Sequence, residues 1–378
     1  MKVFSACLGA FLLVPQFADS NNEPEVGLDL ADIIRRWNYP VETIEIVTDD
    51  QYVLKLFRIP GPRNESSGEE GRSVGNCSKP VILLLHGALG DGTAFVLNPP
   101  QSSPGFVFAD AGFDDFIGNV RGTKYGQGHL NLSTADSAFW DFSLDEVATL
   151  DVPAMIDGAL NASNAQSLYL LGHSQALVRG VFGWGTVNTL YYTKGYLSRD
   201  GNIGSMLRAV LGTCLWALGW APAKSTSDFI QSRSPVYSAH LLSGTSLKLL
   251  THFLQMRNSE NENLHYDYGA AANLVRYGAK FPPPYNYSNV RSPVHLLWSE
   301  LDDVATALET DAIMRRLQPN VLKVFLTQIN VHSLPKNLIE VTGYSHVDFA
   351  LAIDAGEGSC RPVIDIIRRN QPKECTGS

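Results

Sequence analysis

No cluster of basic residues stands anywhere in the chain: 38 acidic against 29 basic side chains leave a net charge of −9. Phosphate backbones are held by concentrated positive charge, so nothing here suits the protein to nucleic acid. Cysteine is scarce, five in 378 residues, and no C-x-x-C or His/Cys cluster offers the spacing of a metal site. Long apolar runs are missing as well. The stretch from Val3 to Val14 is too short to span a bilayer, and no later segment approaches the length a transmembrane anchor needs. There is no internal repeat.

What is present begins with Met1-Lys2, the apolar stretch just named, and Ala18-Asp19-Ser20, the layout of a signal peptide cleaved near Ser20. Five sequons agree with the secretory route that this implies: Asn64, Asn76, Asn131, Asn161 and Asn286 each stand two residues before serine. Once Cys7 is removed, Cys77, Cys214, Cys360 and Cys375 remain, enough for two disulfides, and Cys360 with Cys375 would close a C-terminal loop. With 44% hydrophobic and 18% charged residues, the chain has material for one large domain with an insertion or for two modest ones.

The chemistry centres on Leu168-Tyr-Leu-Leu-Gly-His-Ser-Gln-Ala176. Leu168 to Leu171 form a short continuous apolar run, a buried strand, and Gly172 permits a tight turn that exposes Ser174. This is the plan of a nucleophile elbow, although the usual G-x-S-x-G ends here in Ala176. The complete pattern does occur at Gly71-Arg-Ser-Val-Gly75, but that copy lies in a polar, glycine-rich loop with no strand before it. Ser73 is therefore rejected and Ser174 retained.

The rest of the chain reads as alternating strands and helices. Thr43 to Val47 and Tyr52 to Ile59 make a hairpin, and Val81 to Leu85 make a central strand buried on both faces. That strand runs into His86-Gly-Ala-Leu-Gly-Asp-Gly92, a turn whose backbone N–H groups, with that of the residue after the nucleophile, would form an oxyanion hole. A short helix at Phe106 to Ala111, a strand at Phe113 to Gly118 and a helical stretch from Ala138 to Leu160, kinked or restarted at Pro153, follow. The order predicts a mostly parallel α/β sheet with its site at the strands' carboxyl ends. Strand Val294 to Trp298 ends in Ser-Glu-Leu-Asp-Asp303, placing carboxylates just past a strand end. Leu338 to Val341 form the last strand, and His346 sits in the loop beyond it. Nucleophile, carboxylate and histidine thus come in the order of a Ser-Asp-His triad.

At this point the residues carry a resemblance. Trp37-Asn-Tyr-Pro40, His86-Gly, Phe108-Ala-Asp-Ala-Gly-Phe113, Gly118-Asn-Val-Arg-Gly122, Phe139-Trp-Asp-Phe-Ser-Leu-Asp-Glu146, Gly172-His-Ser-Gln175, Asp267-Tyr-Gly269 and Tyr344-Ser-His-Val-Asp-Phe349 together resemble the acid lipase family, which includes gastric and lysosomal acid lipases. The resemblance implies an α/β-hydrolase fold with helices on both faces of the sheet. It divides the chain into a signal peptide (1–20), a first core part (21–185), a shortened cap (186–284) and a second core part (285–378). It makes Ser174 the nucleophile, His346 the base and Asp303 the orienting carboxylate, with Asp302 in reserve, and it gives the oxyanion donors as the N–H groups of Ala88 and Gln175. It also implies a secreted or lysosomal hydrolase of neutral lipid esters, triacylglycerols or sterol esters, working at a lipid–water interface without metal or organic cofactor.

The chain departs from the family after Gln175. Ala176 replaces glycine, Gly180, Gly183 and Gly185 weaken the helix expected there, and no core strand is evident before Gly219. Residues 318–333 look inserted. A catalytically impaired lipid-binding relative or altered isoform, and a serine esterase of other specificity on the same scaffold, are the competing readings.

Overall fold

The computed structural model describes residues 23–63, 79–174, 182–187, 189–194, 227–259, 262–317 and 338–371. The signal peptide, Ser73, Asn64, Asn76, Cys77, Cys214, Cys375, Gln175, Ala176 and residues 318–333 lie outside these.

Among the described residues nine strands make one sheet: β1 (Glu42–Val47), β2 (Tyr52–Ile59), β3 (Val81–Leu85), β4 (Asp114–Gly118), β5 (Gly128–His129), β6 (Tyr169–His173), β7 (Phe182–Trp184), β8 (His295–Trp298) and β9 (Leu338–Glu340). Their spatial order is β1-β2-β4-β3-β6-β7-β8-β9, with β5 paired to β2. β1, β2 and β5 pair antiparallel, and β2 meets β4 antiparallel. From β4 to β9 every neighbouring pair is parallel.

The continuous apolar runs of the central strands follow from burial on both faces. Successive side chains point to opposite sides of a strand, so Ile82 and Leu84 join one core while Val81, Leu83 and Leu85 join the other. β6 divides in the same way, Leu171 to the first core and Leu170 to the second. Helices Leu30–Arg36, Pro104–Asp110 and Arg361–Asn370 supply Ile33, Phe106 and Ile364 to the first core. Helices Val152–Ser163 and Leu247–Arg257 supply Met155 and Phe253 to the second. The helical stretch around Pro153 restarts as its sequence predicts. Ser143 caps a first turn in a capping box with Glu146, a π-turn spans Val147–Asp151, and the regular helix begins at Val152 with proline in its first turn, where the missing N–H costs nothing.

One expectation is corrected. A core strand does follow the elbow: β7, Phe182–Trp184, fills the gap between β6 and β8. Only seven residues separate Ser174 from Phe182, fewer than the dozen or so of a helical crossover, and the three strand residues lie among glycines, so the run carries no periodic signal. Among the described residues Cys360 has no disulfide partner, and the pairing with Cys375 lies outside them. The Cys360 thiol is packed in the first core, where burial pushes its pKa up.

Candidate active site

Ser174 follows β6 directly and sits at φ +60°, a left-handed conformation that costs a non-glycine residue about 1–3 kcal/mol. Its own backbone holds it there. Ser174 N–H donates to the Trp184 carbonyl at 3.0 Å, and its carbonyl accepts from Val187 N–H at 3.1 Å. The end of β7 therefore clamps the elbow from one side. Gly87 meets it from the other, where a β-carbon would come within 2.9 Å of Ser174 Cβ.

His346 lies in the turn beyond β9. Its Nε2 is 2.9 Å from Ser174 Oγ, and its Nδ1 is 2.9 and 3.1 Å from the two oxygens of Asp302. The carboxylate at the histidine is thus Asp302, and the assignment to Asp303 is corrected. The cause is local. Asp302 Oδ1 accepts the N–H groups of Val304 and Ala305 at 2.9 and 2.8 Å, an aspartate turn that rolls this side chain under the loop. Asp303 is exposed, and its carbonyl accepts Lys194 N–H at 2.8 Å. Burial by itself would raise the Asp302 pKa, but His346 and the two loop N–H groups outweigh it and hold the carboxyl below its usual value.

Ala88, the expected oxyanion donor beside Gly87, lies in the turn after β3, and among the described residues its N–H has no acceptor. The turn is braced by His86, whose Nδ1 pairs with the Gly87 carbonyl at 2.8 Å while Nε2 accepts Val120 N–H at 3.3 Å. Burial lowers the His86 pKa, so the ring stays neutral in this role. From above, Ser243 N–H reaches the Leu89 carbonyl at 2.7 Å.

Two supporting residues were not apparent from the sequence. His173 is buried beside the base, and its Nε2 donates to the His346 carbonyl at 2.8 Å. Burial first, and the proximity of His346 second, push its pKa down to about 4, so His173 remains neutral. Its only signal was adjacency to Ser174. Gly185, read above as a helix breaker, sits at φ +50° under the Asp302–His346 pair. A β-carbon there would lie 2.8 Å from Asp302 Oδ2 and 3.2 Å from His346 Nδ1. No sequence pattern marks it. Of the sequons, Asn131, Asn161 and Asn286 are exposed.

A family profile described as the partial alpha/beta-hydrolase lipase region matches residues 30–99. Lipase lipl-1 of Caenorhabditis elegans is 30% identical over 92% of this chain and 93% of its own length. The chain belongs to the acid lipase family. Bovine gastric triacylglycerol lipase is 28% identical over 92% of this chain and 93% of its own, and human lysosomal acid lipase/cholesteryl ester hydrolase is 27% identical over the same shares. Acid lipases are carboxylic ester hydrolases on the α/β-hydrolase fold, and the sheet order and strand-end site described above are those of that fold.

Proposed function

We propose that this acid lipase hydrolyses neutral lipid esters through Ser174, His346 and Asp302. The observation that carries the reading is the unbroken chain of hydrogen bonds from Ser174 Oγ through His346 to Asp302. His346 Nε2 takes the hydroxyl proton as Ser174 Oγ attacks the ester carbonyl carbon. The N–H of Ala88 would donate to the developing oxyanion, and the second donor is assigned to Gln175, which lies outside the described residues. Collapse breaks the bond to the alcohol oxygen, which leaves with the proton from His346, and water repeats the sequence on the acyl-enzyme. Asp302 holds the imidazole in the tautomer that keeps Nε2 free to accept, and stabilises the imidazolium.

Triacylglycerols and sterol esters are the substrates named for the relatives, and we extend that class to this chain. We extend their secreted or lysosomal setting as well, with residues 1–20 as the signal peptide and Asn131, Asn161 and Asn286 as glycan acceptors on the surface. The test is covalent labelling of the secreted chain by a fluorophosphonate, paired with hydrolysis of a triacylglycerol emulsion and a soluble short-chain ester. Wild-type protein should label and turn over, and Ser174→Ala should do neither. Label found on a peptide containing Ser73, or undiminished in Ser174→Ala, would overturn the assignment. A folded wild-type chain that never labels would be the lipid-binding relative instead.

A further inference from the structure

The two N–H groups that hold Asp302 belong to successive peptide units, and each unit is anchored again on its far side. Val304 N–H donates to Asp302 Oδ1 at 2.9 Å. It shares one peptide plane with the Asp303 carbonyl, which accepts Lys194 N–H at 2.8 Å. Ala305 N–H donates to the same carboxylate oxygen at 2.8 Å. It shares the next plane with the Val304 carbonyl, which accepts the Thr193 hydroxyl at 3.0 Å. A trans peptide unit is rigid and points its C=O and N–H in opposite directions. Pinning the oxygen therefore sets where the hydrogen points. A hydrogen bond accepted at the oxygen also polarises the unit and strengthens its N–H as a donor.

Thr193 and Lys194 are held in turn. Glu309 is fully buried and accepts Tyr192 N–H at 2.8 Å and Thr189 N–H at 2.9 Å, one on each carboxylate oxygen. Thr306, the N-cap of the helix Ala307–Arg316 that carries Glu309, donates its hydroxyl to the Tyr192 carbonyl at 3.3 Å. The loop needs such a bracket because it lies at the surface. Leu301 and Asp303, on either side of Asp302, are both exposed, whereas Thr193 is buried. We propose that Thr193 is a positioning residue for the reaction. With Lys194 N–H beside it and Glu309 behind both, its hydroxyl fixes the tilt of the peptide planes that hold Asp302 against His346. The kinetic consequence rests on the hydrolytic reading, but the aim of Asp302 belongs to the folded chain and is measurable without turnover.

Thr193→Val keeps the branched shape and removes the hydroxyl, while Thr193→Ser keeps the hydroxyl. On a soluble short-chain ester, Thr193→Val should lower kcat by about tenfold with KM unchanged, and Thr193→Ser should stay near the wild-type rate. The downfield proton resonance of His346 Nδ1–H, identified by its absence in His346→Gln, reports the bond to Asp302 directly. It should move upfield and broaden in Thr193→Val and keep its place in Thr193→Ser. Glu309→Gln offers one acceptor where two N–H groups point. It should shift the resonance and lower kcat in the same direction, and it carries the test should Thr193→Val fail to fold. A lowered melting temperature with kcat and the resonance unchanged would overturn the proposal, as would a loss in kcat that Thr193→Ser shares. A wild-type chain that never labels with fluorophosphonate, yet shows the resonance and its shift in Thr193→Val, would leave the aim of Asp302 as proposed and remove the hydrolytic reading alone.

Discussion

Asp302 and Asp303 follow one another after β8, yet only Asp302 reaches the imidazole, because its turn with Val304 and Ala305 aims it inward. Asp302→Asn should lower kcat by about four orders of magnitude by fixing the wrong histidine tautomer, whereas Asp303→Asn should leave the rate near wild type. Comparison of the two turnover numbers on a soluble ester decides between them. A one-residue choice of this kind is not legible in Ser-Glu-Leu-Asp-Asp, since similarity aligns letters and the loop's hydrogen bonds choose the rotamer. A different carboxylate, Asp115 on β4, is fully buried, and among the described residues neither of its oxygens has a hydrogen-bond partner. Burial, with neighbouring Asp114 adding to it, raises its pKa well above the ordinary value. The unfolded chain ionises this group above pH ~3.8 while the folded chain keeps the proton, so stability falls as pH rises from there towards the folded pKa, by up to about 1.4 kcal/mol per pH unit. Asp115→Asn should remove that slope, and the gap between the melting points of variant and wild type should widen from pH 4 towards neutrality.

At the scale of elements, β7 is where sequence and structure part most clearly. A three-residue strand among glycines has no alternation to detect, yet it is sewn in on both sides. Trp184 is fully buried in the first core. Beyond it, Thr189 and Tyr192 donate their N–H groups to the buried Glu309 carboxylate at 2.9 and 2.8 Å, and Thr193 Oγ1 donates to the Val304 carbonyl at 3.0 Å. Trp184→Ala should therefore cost about 3–5 kcal/mol, read as a fall in the urea midpoint. Gly185→Ala tests the other use of this element. Its β-carbon has no room beside Asp302 and His346, and displacement of a catalytic pair by about an ångström can cost a hundredfold. The expected result is a loss in kcat of about that size, with KM unchanged and a melting point lowered far less than by Trp184→Ala. The longer elements were legible because their patterns are. The two-faced strand Val81–Leu85, the hairpin before it and the restart at Pro153 each follow from a local rule that packing then reinforces.

At the scale of the whole molecule, one carboxylate ties residues 265–285 to the core. Asp145, at the start of the long helix, receives His265 Nδ1 at 2.8 Å, Tyr266 N–H at 3.0 Å and the Tyr285 hydroxyl. Burial pushes its pKa up, but these partners prevail and hold the carboxyl below its usual value. A lowered carboxylate contributes stability above the unfolded pKa and loses it only as pH falls through the folded one, so the tie should persist in media as acidic as pH ~4. Asp145→Ala should open residues 262–285 to limited proteolysis at a pH where wild type resists, with cleavage sites read by mass spectrometry. The stretch containing Asp145 was legible in the sequence as a helix and as similarity, but its role as a tie was not, because its partners lie some 120 and 140 residues away.

Distance along the chain has a last consequence, in time. Ser174 and His346 are 172 residues apart, and His346 and Asp302 are 44 apart, so none of the three can find its neighbours until the parallel half of the sheet has closed. Long-range parallel pairing is slow, and large chains collapse into compact intermediates before it is complete. Reactivity towards a fluorophosphonate is then a clock for the final stage of folding: during refolding from urea, labelling of Ser174 should lag behind the return of helical circular dichroism.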